Sequence, residues 1–99
     1  MAITLIPSWD MDYDDEADVL YGSRGAPQPA ASVEVMDDVL LRYVPSNPEV
    51  VGITIINFLR HYPLPAGRPL LDHAAGVLTA LWQSYPKVPL SAMGEAEQP

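Results

Sequence analysis

The 99-residue chain has no cysteine, one lysine (Lys87), one phenylalanine (Phe58) and only five basic residues in all. Without thiols there is no disulfide, no thiol nucleophile and no thiolate metal site, which fits a reducing compartment. The five bases stand against thirteen acids, a formal net charge of −8, and such a field repels phosphate backbones and anionic lipid headgroups. Nucleic-acid and membrane-surface binding are therefore not expected. The longest nearly unbroken apolar run, Val50 to Leu59, falls far short of a membrane span, and MAITLIPSW carries no cation ahead of its apolar residues. The expectation is a cytoplasmic protein, neither secreted nor inserted.

What is present is a 48% apolar composition and eleven prolines, about twice the usual proline share. A chain of this length forms one domain with a modest core, and the prolines require several loops. Trp9, Met11 and Tyr13 alternate with Asp10 and Asp12, the pattern of a half-buried strand. Asp14 to Ala17 breaks the alternation with turn-prone acids, and Asp18 to Gly22 resumes it, so an N-terminal hairpin is predicted. GSRGAPQPAAS, residues 22–32, reads as a loop. Val33 to Met36 and Val39 to Val44, around Asp37-Asp38, read as a second strand pair or one bent strand. Pro45 to Glu49 is predicted to turn because of its two prolines. Val50 to Phe58 has two largely apolar faces, Val51, Ile53 and Ile55 against Val50, Thr54 and Ile56, which predicts a central strand covered on both sides.

A helix is expected from Pro69 to just before Pro86. At 100° per residue, Leu70, Leu71, Ala74, Ala75, Val77, Leu78, Leu81, Trp82 and Tyr85 fall within an arc of roughly 160°. That stripe exceeds what one contact needs, and Leu71, Ala75, Leu78, Trp82 and Tyr85 are its candidate interface residues. The fold class that follows is α+β: a small antiparallel β-sheet of three or four strands carrying one C-terminal amphipathic helix. Residues 1–88 form the domain, with an edge strand at Met1–Ile6 left open. PLSAMGEAEQP, residues 89–99, is expected to be a flexible tail.

The segment Asp10 to Asp18 holds six acids in nine residues. The spacing Asp10-x-Asp12-x-Asp14 invites comparison with a calcium loop, but position six is Asp15 instead of glycine and position twelve is Tyr21 instead of a bidentate Glu. A hydrolytic carboxylate pair needs one desolvated acid beside an ionised one, which clustered acids at a turn do not supply. The favoured reading makes Asp14, Asp15 and Asp18 acceptors for backbone N–H groups in the turn; a looser divalent site at Asp10, Asp12, Asp14 and Asp18 is the alternative. His61 and His73 lack matched ligand spacing and read as surface or boundary residues. No Gly-x-Ser-x-Gly elbow or phosphate-binding glycine loop is present, and Gly76 with Ala80 reads as low-profile helix packing. No metal, no cofactor and no catalytic residue is assigned.

Tyr13-Asp14-Asp15-Glu16-Ala17-Asp18-Val19-Leu20-Tyr21 resembles the YD-x-EAD-x-LY opening of domain-of-unknown-function family 2283, a small and mostly bacterial family. Val51-Gly52-Ile53-Thr54-Ile55 is similar to its VGI-x-I strand, so the resemblance covers about residues 9–58. It implies a compact antiparallel sheet built on the hairpin and no established activity; members are met beside small toxin-like proteins, which implies an antitoxin-like role. PSNPEV replaces the Asp/Gly turn that usually precedes VGI-x-I, and the C-terminal helix lies outside the resemblance. The functional expectation is a non-enzymatic interaction module acting as a dimer or with a protein partner. Its alternatives are an antitoxin-like neutraliser of a small basic enzyme and a divalent-metal hydrolase.

Overall fold

Acid and apolar side chains alternate through Asp10–Asp14, and this segment is the edge strand β1, with Asp10, Asp12 and Asp14 exposed and Met11 and Tyr13 half-buried. The computed structural model describes residues 9–25, 30–44, 47–85 and 87–88. A four-residue turn, residues 15–18, reverses the chain into β2, Val19–Ser23. The second hairpin joins β3, Ala31–Met36, to β4, Val39–Val44, through Asp37 and Asp38. Strand β5, Asn47–Ile56, then enters between the two hairpins, giving one antiparallel five-stranded sheet in the order β1-β2-β5-β4-β3. The predicted α+β class and the antiparallel sheet with a C-terminal helix are found; the strand number is five rather than three or four, because residues 31–44 form two strands. An edge strand at Met1–Ile6 and a tail at residues 89–99 concern residues outside those described.

β5 departs from strict alternation, and this changes which residues reach the core. Arg42 pairs with Gly52 while Tyr43 pairs with Val50, so Val51 is an extra residue on β5. Such a bulge shifts the side-chain phase by one. Val50 therefore joins Ile53 and Ile55 in the buried set, and Val51 is left half-buried. The strand also begins at Asn47, inside the segment predicted to turn, and it ends at Ile56. Asn57 adopts a left-handed conformation, φ 55°, and Phe58–His61 forms a short helix, α1. The second helix, α2, spans Leu70–Ser84, with Pro69 as its N-cap instead of its first residue and Tyr85 as its C-cap.

The core lies between α2 and one face of the sheet. Leu20, Val33, Val39, Leu41, Tyr43, Val50, Ile53 and Ile55 supply the sheet side, and Phe58, Ala74, Leu78 and Val88 close over it. Trp9 sits at its margin and its indole N–H donates to Thr79 Oγ1 at 3.3 Å. Past α2 the chain returns to the start of β5, where Lys87 bridges Glu49. The other face of β5, expected to be covered, is not packed by α2: Thr54 is half-buried and Ile56 exposed. Among the described residues no helix is long and apolar enough to cross a membrane.

At Gly22 the absence of a side chain lets Leu78 of the helix approach the sheet closely. A Cβ there would stand 2.6 Å from Leu78 Cδ1, and Leu78 is fully buried, so neither side has room to yield. A Cβ on Gly76 of the same helix would meet nothing within 4 Å. Gly22→Ala is accordingly expected to destabilise the domain by about 1–3 kcal/mol through overpacking, whereas Gly76→Ala should stabilise it by up to about 1 kcal/mol through helix propensity. Urea denaturation of the two variants checks this; changes of the same sign would contradict the seating of Leu78 on Gly22.

Candidate functional site

The acidic stretch divides between two jobs. Asp14 Oδ1 accepts the N–H groups of Glu16 at 3.0 Å and Ala17 at 3.2 Å, which holds the β1–β2 turn together. Asp18 closes the turn in a left-handed conformation, φ 56°, and its Oδ1 accepts the Tyr13 hydroxyl at 2.7 Å and the Leu59 N–H at 2.9 Å. Its carbonyl accepts the Phe58 N–H at 2.9 Å. Desolvation pushes the Asp18 carboxyl up, but the Leu59 N–H, the Tyr13 hydroxyl, the Arg60 N–H and the Arg60 charge outweigh it and hold the group below its ordinary value. Tyr13, bonded to that carboxylate, desolvated and surrounded by Asp18, Asp15 and Asp14, is pushed up from 10.0 to about 12. Asp10 and Asp12 are exposed on β1, and among the described residues no three acids or histidines converge on one point.

The second hairpin repeats the arrangement on the other side of β5. Asp38, φ 66°, donates its N–H to Glu34 Oε2 and accepts the Ile56 N–H on its carbonyl. Its Oδ2 takes Asn57 Nδ2 at 3.1 Å and pairs with His61 Nε2 at 2.8 Å. Those two bonds, against a smaller desolvation effect and with help from the charges of His61 and Arg60, hold the Asp38 carboxyl below its ordinary value. His73 is buried rather than at the surface. Its Nε2 lies 2.8 Å from the Tyr62 carbonyl, and since a carbonyl only accepts, that nitrogen carries the proton. Its ring lies 5.5 Å from that of Phe58.

The five stripe residues of α2 do not present one surface. Leu78 is fully buried in the domain's own core, and Ala75, Trp82 and Tyr85 are half-buried. The Trp82 ring carries the Arg24 guanidinium 4.3 Å above it, so it anchors the segment after β2 to the helix. Leu71 alone stands out in solvent, 56% exposed. Most of the stripe packs within the chain: Ala74 and Leu78 are in the core, Leu70, Val77, Leu81, Trp82 and Tyr85 pack against it, and beside the stripe His73 meets Phe58 of α1.

The uncovered surface is the opposite face of the sheet. In adjacent cross-strand rows it carries Asp10, Ser23, Gly52, Arg42 and Ser32, then Asp12, Tyr21, Thr54, Leu40 and Glu34. Tyr21 is 46% exposed and Ile56 37%. Arg42 is half-buried because its stem lies over Gly52, where a Cβ would stand 3.4 Å from Arg42 Cδ. Tyr21, Ser23, Ser32, Arg42 and Thr54 enclose a depression of about 370 Å³, and Arg42 has no carboxylate partner among the described residues. Nothing in the residue pattern alone singles out this face, since the bulge at Val51 decides which side of β5 is left over.

The architecture is that of a small α+β domain in which two hairpins flank a central strand and one helix covers one face. Residues 10–58 match the model of the family described as protein of unknown function DUF2283, and through this segment, which spans all five strands, the chain belongs to that family. No curated protein and no solved structure gives a significant match.

The carboxylate shifts set the pH response. Asp18 and Asp38, both lowered, contribute stability that is present above an unfolded value near 3.8 and lost as pH falls through their folded values. Tyr13, raised, contributes stability that is complete below pH 10 and lost as pH rises through about 12. Tyr13→Phe should remove the alkaline loss and weaken the acid one, because Asp18 then keeps one donor fewer. Melting temperatures of the two proteins from acid to alkaline pH check this; a constant difference at every pH would contradict the Tyr13–Asp18 coupling.

Proposed function

We propose that the protein is a non-enzymatic interaction module and that the open face of its sheet is the contact surface for a protein partner. The observation that carries this reading is that Tyr21 and Ile56 are exposed, with Arg42 half-buried over Gly52, on a sheet face that α2 does not cover. Soluble domains seldom leave such a patch without use, and tyrosine and arginine are the residue types that carry binding energy at the centres of interfaces. A half-buried guanidinium whose stem is already fixed over Gly52 loses little conformational freedom on docking.

The acids at the margins of this face indicate the partner's charge. Asp10, Asp12 and Asp14 line the β1 edge and Glu34 lies on β3. A second copy stacked face to face would bring acids together within a chain of charge −8, so a different protein with an apolar centre and a cationic rim fits better than self-association. An antitoxin-like neutraliser of a small basic enzyme is the specific form of this reading that the acidic margin favours.

Tyr21→Asp combined with Ile56→Asp tests it. Both side chains are exposed, and the pair is expected to lower stability by no more than about 1 kcal/mol per site. Co-purification from native extract followed by sedimentation should show the wild type in a complex and the double variant free of it, while the double variant still melts in one cooperative transition with its Tm lowered by no more than the several degrees that such a loss implies. A wild type that sediments alone, or a complex indifferent to the two substitutions, overturns the reading.

A further inference from the structure

On the far side of α2 from the open sheet face lies a second, independent concavity. The segment between the helices, through Tyr62, Pro65 and Arg68, forms one wall, and His73, Gly76 and Ala80 of α2 form the floor of a groove of about 480 Å³. This volume is within the range of small-molecule sites. Gly76 and Ala80 are exposed, and the space above Gly76 is empty, with nothing within 4 Å of a built Cβ. The small residues thus do not serve intramolecular packing; they leave the helix backbone as the floor of an open groove. Two rings of a connected aromatic set, Tyr62 and His73, both close to Phe58, stand along it.

The groove is mostly apolar but has a cation at its wall. Arg68 is exposed and has no carboxylate partner among the described residues, although the chain carries thirteen acids. Its backbone is fixed by the N–H bond to the Pro65 carbonyl at 3.1 Å. We infer that this groove binds a small organic monocarboxylate with an aromatic or branched apolar body, the carboxylate on the Arg68 guanidinium and the body over Gly76 between Tyr62 and Ala80. A guanidinium presents paired donors that match the two oxygens of a carboxylate. One such cation, in a chain of net charge −8, balances a single negative charge and not the near-double charge of a phosphate monoester.

Phenylacetate and its neutral amide, phenylacetamide, serve as probes, followed by the backbone amide resonances of Gly76, Ala80 and Ser84 in the full chain. The acid is expected to shift these resonances saturably and to bind about tenfold or more tighter than the amide, the worth of a charge-assisted hydrogen bond. Arg68→Gln should abolish the preference for the acid, and Gly76→Leu, which fills space occupied by no other group, should abolish binding of both probes with the fold retained. The inference is overturned by the absence of saturable shifts at millimolar acid, by equal affinity for acid and amide in the wild type, or by binding that survives Gly76→Leu. Since Tyr21 and Ile56 lie on the opposite side of the domain, the Tyr21→Asp, Ile56→Asp protein should bind phenylacetate as the wild type does, which separates this result from the fate of the sheet-face reading.

Discussion

The fold depends on how the exit of β5 is held. Two aspartates in left-handed conformations, Asp18 and Asp38, close the two hairpin turns on either side of that strand. Their carbonyls take the N–H groups of Phe58 and Ile56, and their carboxylates take Leu59 N–H, Asn57 Nδ2 and the His61 ring. A left-handed conformation is unfavourable for a residue with a Cβ, and the bonds each aspartate receives offset that strain. Between them they fix Asn57, itself left-handed, and so direct Phe58 into the core. The seating of α2 draws on that placement, because the His73 ring lies tilted against Phe58 and its Nε2 bonds the Tyr62 carbonyl.

The same geometry explains the acidic segment without a ligand. Asp14 satisfies the turn, Asp18 satisfies the entry to α1, and Tyr13 ties β1 to Asp18. The turn-forming chemistry of the sequence points to Asp14, Asp15 and Asp18 as acceptors of backbone N–H groups in the turn; Asp14 fills that role, the Asp18 carboxylate accepts an N–H outside the turn, and Asp15 is exposed. That Asp18 reaches a helix 41 residues away was not legible, because no local pattern encodes a contact of that separation. One signal was available: Asp-Val-Leu occurs at residues 18–20 and again at 38–40, each following a turn and each opening a strand beside β5. The repeat is offset by one residue, so Leu20 in one copy and Val39 in the other face the core.

Periodicity located the first hairpin, the central strand and α2 to within a few residues, since each carries a two- or 3.6-residue repeat, whereas residues 33–44, rich in β-branched residues, read as either a strand pair or one bent strand. It misassigned the faces of β5 because strict alternation cannot register the extra residue at Val51, and it read residues 47–49 as a turn because Pro48 disfavours a strand. The wide α2 stripe reads as exceeding one contact; within the chain Leu78 seats on the sheet at Gly22, and His73 beside the stripe meets Phe58 of α1. A stripe's width reports how many surfaces a helix meets, and it carries no information on whether those surfaces belong to the same molecule. The excess apolar area therefore sits elsewhere, on the sheet face whose one-sided cover was decided by the bulge.

The boundary of the family match has a physical counterpart. Residues 10–58 end at Phe58, whose N–H closes the bond to Asp18, so the matched segment contains the whole sheet and the backbone bonds of the clasp on β5, while its Leu59 and His61 partners lie just beyond it. The exposed face with Tyr21, Arg42 and Ile56 is built entirely within it. The groove over Gly76 is built entirely from residues after it, Tyr62 to Ser84. α2 covers one face of the sheet, and residues of α2 together with the segment before it line the groove. The linings of the two surfaces share no side chain; α2 is tied to the sheet side by Leu78 on Gly22, by the Trp9–Thr79 bond and by Arg24 on Trp82, and to α1 by His73 beside Phe58.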